Sequence, residues 1–118
     1  MSHDINLYLT EILSCIAKIE RYLADIETQE ALEKDDKTFD AVAMNLQVIG
    51  EAVRYIPDEL RAANPQIKWS SIVGLRNIIS HAYASLDPEI IWDTVQNKLT
   101  ELRNCVAKIK EELLQMDI

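Results

Sequence analysis

The sequence predicts an all-α fold, an antiparallel bundle of four main helices with short connecting helices. Three observations carry that expectation. Apolar residues recur at spacings of four and three over long stretches, the period of a helix with one buried face. Only two glycines and three prolines stand among 118 residues, so the chain has few places to turn. No stretch alternates apolar and polar residues as a half-buried strand does. A hydrophobic content of 48% is ordinary for a globular protein, and residues 1–118 are expected to form one domain around one core.

The first helix is expected from about Asp4 to Ile26. Ile5, Leu9, Ile12, Ile16, Ile19, Leu23 and Ile26 form its stripe, with Tyr8, Cys15 and Tyr22 beside it. Thr28-Gln29-Glu30 suits the start of a short helix through Leu32, and Glu33 to Lys37 reads as a solvated link. The second long helix is expected from about Thr38 to Ile56. Phe39, Val42, Leu46, Ile49, Val53 and Ile56 form one stripe, and Ala41, Met44, Val48, Ala52 and Tyr55 a second. Asp40, Gln47, Glu51 and Arg54 share the one clearly polar face. A helix this apolar is expected to be buried on two sides, by the bundle and by a second subunit.

Pro57-Asp58-Glu59 stops that helix and starts a short one ending near Asn64-Pro65. Ser70 or Ser71 is the expected cap of the next helix, which ends around Tyr83 to Ser85. On it Ile72, Leu75, Ile78, Ile79 and Ala82 gather in one sector that should face the core. Gly74 costs stability inside a helix, so close packing against another backbone is the expected reason for it. Asp87-Pro88-Glu89 starts the last helix with a cap, a proline and an acid. That helix is expected to run unbroken to about Met116, with Ile91, Val95, Leu99, Leu102, Val106, Ile109 and Leu113 as its seam. The expected core includes Ile16, Phe39, Leu46, Ile49, Ile79, Leu102 and Val106.

The chemistry concentrates in Gly74-Leu75-Arg76-Asn77-Ile78-Ile79-Ser80-His81-Ala82-Tyr83. Arg76, Ser80, Asn77 and His81 occupy the polar sector in that order around the helix. Arg76 and His81, five residues apart, lie about 140° apart and bracket that face. A permanent cation with a planar fork of donors, beside a group that exchanges protons near neutrality, suits a phosphodiester. Asn77 can orient the histidine or bind the phosphate. The bland alternative has Arg76 paired with a carboxylate, His81 capping the helix end and Tyr83 closing the core edge. Asn45 lies away from the polar face, so its amide needs an internal partner. It is either a satisfied core amide or, with Ser80, a support for the site.

Arg-x4-His, with Asn after the arginine and Tyr two after the histidine, resembles the signature of HEPN-domain ribonucleases. Its Arg-x4-His-x-Tyr form resembles the HepT-like toxins. Asn45-Leu46-Gln47-Val48-Ile49-Gly50-Glu51-Ala52, Pro65-x-x-x-Trp69 and Gly74-Leu75-Arg76-Asn77 look like that family in the expected order, and the resemblance covers nearly the whole chain. It implies a HEPN-like bundle and a metal-independent endoribonuclease toxin acting on RNA, with tRNA the expected target. His81 would act as general base or acid, Arg76 would stabilise phosphorane charge, and Asn77 would position the phosphate. A homodimer would face two such motifs across one cleft. Tyr83 would receive AMP groups from ATP through a separate minimal nucleotidyltransferase, the antitoxin, with which a higher assembly is conceivable. The alternative is a catalytically silent helical subunit that binds nucleotide or substrate for such a transferase.

The remaining features narrow the class. A net charge of −8 argues against a broad nucleic-acid footprint and leaves room only for a local positive site. No apolar run reaches transmembrane length and no basic leader opens the chain, so a cytoplasmic protein without a membrane partner is expected. Cys15 and Cys105 read as reduced packing cysteines. No cluster has metal-ligand spacing, His3 is a lone terminal histidine expected in solvent, and neither metal nor cofactor is implied.

Overall fold

A computed structural model describes residues 2–116. The expected solvation of His3 concerns a side chain outside those described. Helix α1 spans Ser2–Tyr22, α2 Gln29–Lys34, α3 Asp36–Val53, α4 Asp58–Ala62, α5 Trp69–Ala82, α6 Pro88–Asn97 and α7 Leu99–Met116. A single 3₁₀ turn, Tyr83–Ser85, follows α5. The described chain is all-helical, as the periodicity predicts. It measures 48 × 28 × 22 Å, an elongated bundle in which α3 lies between α1 and α5 while α7 covers the other side of α1.

The stripes become the core. Leu9, Ile12, Ile16 and Ile19 of α1 meet Val42, Leu46, Ile49 and Val53 of α3 and Leu102, Val106 and Ile109 of α7, all buried. Of the expected core residues only Phe39 is partly exposed, packed at the edge. Cys15 and Cys105 are free and buried, and burial pushes both thiols up. Among the described residues no helix is long and apolar enough to cross a membrane.

The boundaries depart from expectation where side chains compete for backbone groups. The supposed link Glu33–Lys37 is almost all helix. Asp35 alone separates α2 from α3, and it ends one and starts the other. Its N–H donates to Leu32 O, while its Oδ1 accepts from the Thr38 N–H at 3.0 Å and its Oδ2 from the Thr38 hydroxyl at 2.8 Å. Those two bonds hold the Asp35 carboxyl below its ordinary value. Thr28 caps α2 as expected, its hydroxyl accepting from the Ala31 N–H at 3.1 Å.

Neither Ser70 nor Ser71 caps α5; both lie inside it, and it starts at Trp69 behind Lys68. The entry is fixed by the Trp69 indole instead. Its N–H donates to Arg61 O and Asn64 O, each at 3.1 Å, and so ties α5 to the end of α4. The last helix is two helices. Lys98, at φ −119°, breaks it between α6 and α7. Thr94 lies one turn earlier, and its hydroxyl donates to Ile90 O at 2.8 Å. Such back-bonding within a helix tends to bend it.

Candidate active site: the α3–α5 polar ladder

Helix α5 runs antiparallel to α3, and three polar contacts join α3 to α5 and the turn after it, in reverse order. Gln47 Nε2 donates to Ser80 Oγ at 3.1 Å, and Arg76 Nη2 donates to Glu51 Oε1 at 2.7 Å. At the far end the Tyr83 hydroxyl donates to Asp40. The polar face expected on α3 is therefore the partner of the polar edge of α5.

Close approach makes the ladder possible, and glycine makes the close approach possible. A Cβ built on Gly50 would stand 2.3 Å from Arg76 Cβ and 3.1 Å from Ile72 O. The expectation of tight packing at Gly74 is reversed. A Cβ there would meet nothing within 4 Å. The close contact belongs to the other glycine.

Arg76 is mostly buried and held on two sides. Besides the Nη2 bond to Glu51, its Nη1 donates to Asn77 Oδ1 at 2.9 Å, while its buried Nε has no partner among the described residues. Glu51 Oε1 also accepts from Arg54 Nη1 at 3.1 Å, so one carboxylate lies between two guanidinium groups. Partly exposed pairs of this kind are worth about 1 kcal/mol or less, so the contact orients Arg76 more than it stabilises the fold. Asn77 and His81 are exposed on the outer face of α5, and among the described residues nothing hydrogen-bonds the His81 ring. Ser80 belongs to the ladder. Asn45 donates to Ala41 O in its own helix at 2.8 Å, which satisfies its amide within α3.

A family model described as ribonuclease HepT-like matches residues 12–109, most of the chain and the whole of this helix pair. The chain belongs to the HepT-like ribonuclease family. A Methanocaldococcus jannaschii protein named as a candidate RNase is 37% identical over 108 residues, covering 92% of this chain and 86% of that one. The probable ribonuclease HepT of Thermococcus cleftensis is 32% identical over 104 residues, covering 88% and 94%. The chain spans half the length of another relative, a Methanocaldococcus jannaschii protein named as both a gamma-glutamylcyclotransferase and a candidate RNase, 32% identical over 113 residues. No solved structure matches.

Within this HepT-like chain Tyr83 is 44% exposed. Its hydroxyl faces Asp40, with Asp36 nearby. The hydrogen bond to Asp40 and the surrounding negative charge push its ionisation up to about 12. Asp40 and Glu51 are the groups that sequence reasoning missed as site components. The signal was partly present: Asp40, Gln47 and Glu51 are spaced seven and four apart on one face of α3, and Ser80 and Arg76 are likewise four apart on α5, with Tyr83 three residues beyond Ser80 in the turn that follows.

Proposed function

We propose that this chain is an endoribonuclease in which Arg76 and His81 cleave RNA without a metal ion, tRNA being the expected target. The observation that carries the reading is His81, exposed and without a hydrogen bond among the described residues, at one edge of the polar sector of α5 whose other edge is an Arg76 held in place by Glu51 and Asn77, in a chain of the HepT-like family. In the proposed reaction a ribose 2′-hydroxyl attacks the adjacent phosphorus and the bond to the 5′-oxygen breaks. A histidine takes the first proton, another acid returns one to the leaving oxygen, and Arg76 offsets charge on the phosphorane oxygens.

One protomer offers one such histidine, so the reading includes a two-fold dimer that supplies a second. The outward face of α3 supports it. Met44 of α3 and Tyr55 just beyond its end are 60% and 57% exposed there, with Val48 half-buried between them. Tyr55 stacks flat on Tyr8, ring centres 4.7 Å apart, which extends the apolar surface to α1. The reading also makes the chain the toxin of a toxin–antitoxin pair. A separate nucleotidyltransferase would silence it by adding AMP to the exposed Tyr83, placing bulk and negative charge beside the phosphate site.

A second reading rests on the Arg76–Glu51 pair and the charge of −8. An arginine already paired, in an acidic protein, suits a silent subunit that binds phosphate for a transferase. Incubating the purified chain with total tRNA and resolving the products by gel separates the two. Discrete cleavage, lost in His81→Ala, supports the nuclease. Retention of tRNA without cleavage supports the binding subunit.

A further inference from the structure

The ladder uses one flank of α5. On its other flank, between α5 and the α6–α7 pair, lies a cavity of about 610 Å³. We propose that this cavity is a binding site for a small aliphatic anion, a medium-chain carboxylate in the simplest case, separate from the Arg76/His81 face.

The cavity follows from the packing. Gly50 draws α5 onto α3, and the break at Lys98 separates α6 from α7, so α5 is not closed over on that side. Leu46, Leu75, Leu99 and Leu102 form a buried apolar floor. Ile78 and Ile90 stand at the rim, 43% and 41% exposed. This is where the apolar stripe of α5 departs from expectation, because Ile78 faces the cavity and Ala82 faces solvent instead of the core. The volume lies within the range of about 300–1,000 Å³ usual for small-molecule sites.

Gly74 is the second observation. Glycine inside a helix costs about 1 kcal/mol relative to alanine. A Cβ here would touch nothing within 4 Å, so packing does not explain the residue, whereas the added room in the cavity wall does.

The lining selects the ligand. It holds two lysines, Lys68 and Lys98, against one acid, Glu101, in a chain whose net charge is −8. Among the described residues Lys68 has no ion pair, and Lys98 has only a loose one to Asp93 at 3.7 Å. Among the described residues no aromatic side chain lines the cavity, so they offer no stacking surface for a nucleobase. Branched aliphatic walls and a basic rim fit an aliphatic chain ending in an anionic head.

The test uses decanoate as the anionic probe and 1-decanol as its neutral counterpart, with calorimetric titration and thermal melting of the full chain. Decanoate should bind and raise the melting temperature with the logarithm of its concentration. Gly74→Leu should fill the cavity, abolish that rise and melt no lower than the parent protein without ligand, since leucine favours the helix over glycine. The double variant Lys68→Gln/Lys98→Gln should weaken decanoate at least tenfold and leave 1-decanol unchanged. Absence of decanoate binding at millimolar concentration overturns the proposal, as does parent-like binding in Gly74→Leu. So does an oligomer in sedimentation that decanoate or Gly74→Leu dissociates, because the occupant is then a second copy of the chain.

Discussion

The two glycines of this chain should respond oppositely to the same one-carbon change. Both stand inside helices, where glycine to alanine alone gains about 1 kcal/mol. At Gly50 the new methyl would lie 2.3 Å from Arg76 Cβ, 3.0 Å from its Cγ and 3.1 Å from Ile72 O. A Cβ and a carbonyl oxygen cannot rotate away, so α5 must move off α3. Overpacking of a tight site costs about 1–3 kcal/mol, and contacts this short on two atoms that cannot rotate away put Gly50→Ala at the upper end, about 2–3 kcal/mol, which leaves it net destabilised by about 1–2 kcal/mol after the helix gain. At Gly74 nothing opposes the gain. An unfolding entropy of about 2.1 cal/mol/K per residue makes 1 kcal/mol worth about 4 °C in a chain of this size. Differential scanning calorimetry should therefore show Gly50→Ala melting about 4–8 °C below the parent protein and Gly74→Ala about 4 °C above it. Gly50→Ala should also lose RNA cleavage, because displacement of α5 parts Arg76 from Glu51. A Gly50→Ala protein that melts at or above the parent refutes the close helix contact.

Four further outcomes follow from the proposed site. His81→Ala and Arg76→Ala should each lower RNA cleavage at least about 100-fold, the usual scale for a proton-transfer group, with an unchanged circular dichroism spectrum. Excess EDTA should leave cleavage intact, because the proposed proton and charge roles are filled by His81 and Arg76; a strong loss would show that a metal takes part. Tyr83→Phe should keep its fold and cleavage yet gain no AMP by intact-mass measurement when incubated with ATP and the cognate nucleotidyltransferase; equal addition to both proteins moves the modification elsewhere. Tyr83 should be the tyrosine missing from the alkaline absorbance titration of Tyr83→Phe, ionising near about 12 in the parent, and Asp40→Asn should bring it down. Its raised value means the native state holds the proton more tightly than the unfolded chain. The stability from the Asp40 contact is therefore complete below an unfolded tyrosine's value of about 10 and lost as pH rises from there through about 12.

The sequence declared its helices through the period of their apolar residues, because burial of a stripe is what holds each one in place. It hid the joints. Asp35 reads as one acid in a solvated run, yet a single carboxylate caps α3 while its own N–H closes α2. Thr94 and Lys98 sit in a stretch whose seam is continuous, and a local side-chain bond does not alter that spacing. Periodicity also marks an apolar face without saying how far the neighbour extends across it. Ile78 belongs to the stripe of α5 by angle and is left in the cavity wall because α5 leans on α3 and leaves its other flank open.

The site was legible by parts and not as an assembly. Arg76, Asn77 and His81 fall together on one helix, so helical geometry alone groups them. Gln47 and Glu51 were visible as part of the polar face of another helix and, with Gly50, as a family-like stretch, but with no stated task. The structure gives each a physical relation to α5. Gln47 reaches Ser80, Gly50 admits the Arg76 Cβ and Glu51 takes its guanidinium. Each depends on the others, since a side chain at position 50 would push Arg76 out of reach of Glu51, and Glu51 has little reason to face inward without Arg76. The acidity that argued against nucleic acid is partly spent in this way. Glu51 and Asp40 point at Arg76 and Tyr83, and on the proposed reading they fix the two groups that would act on RNA and receive AMP. Among the described residues His81 has no tie of that kind, and on the proposed reading a second chain supplies one.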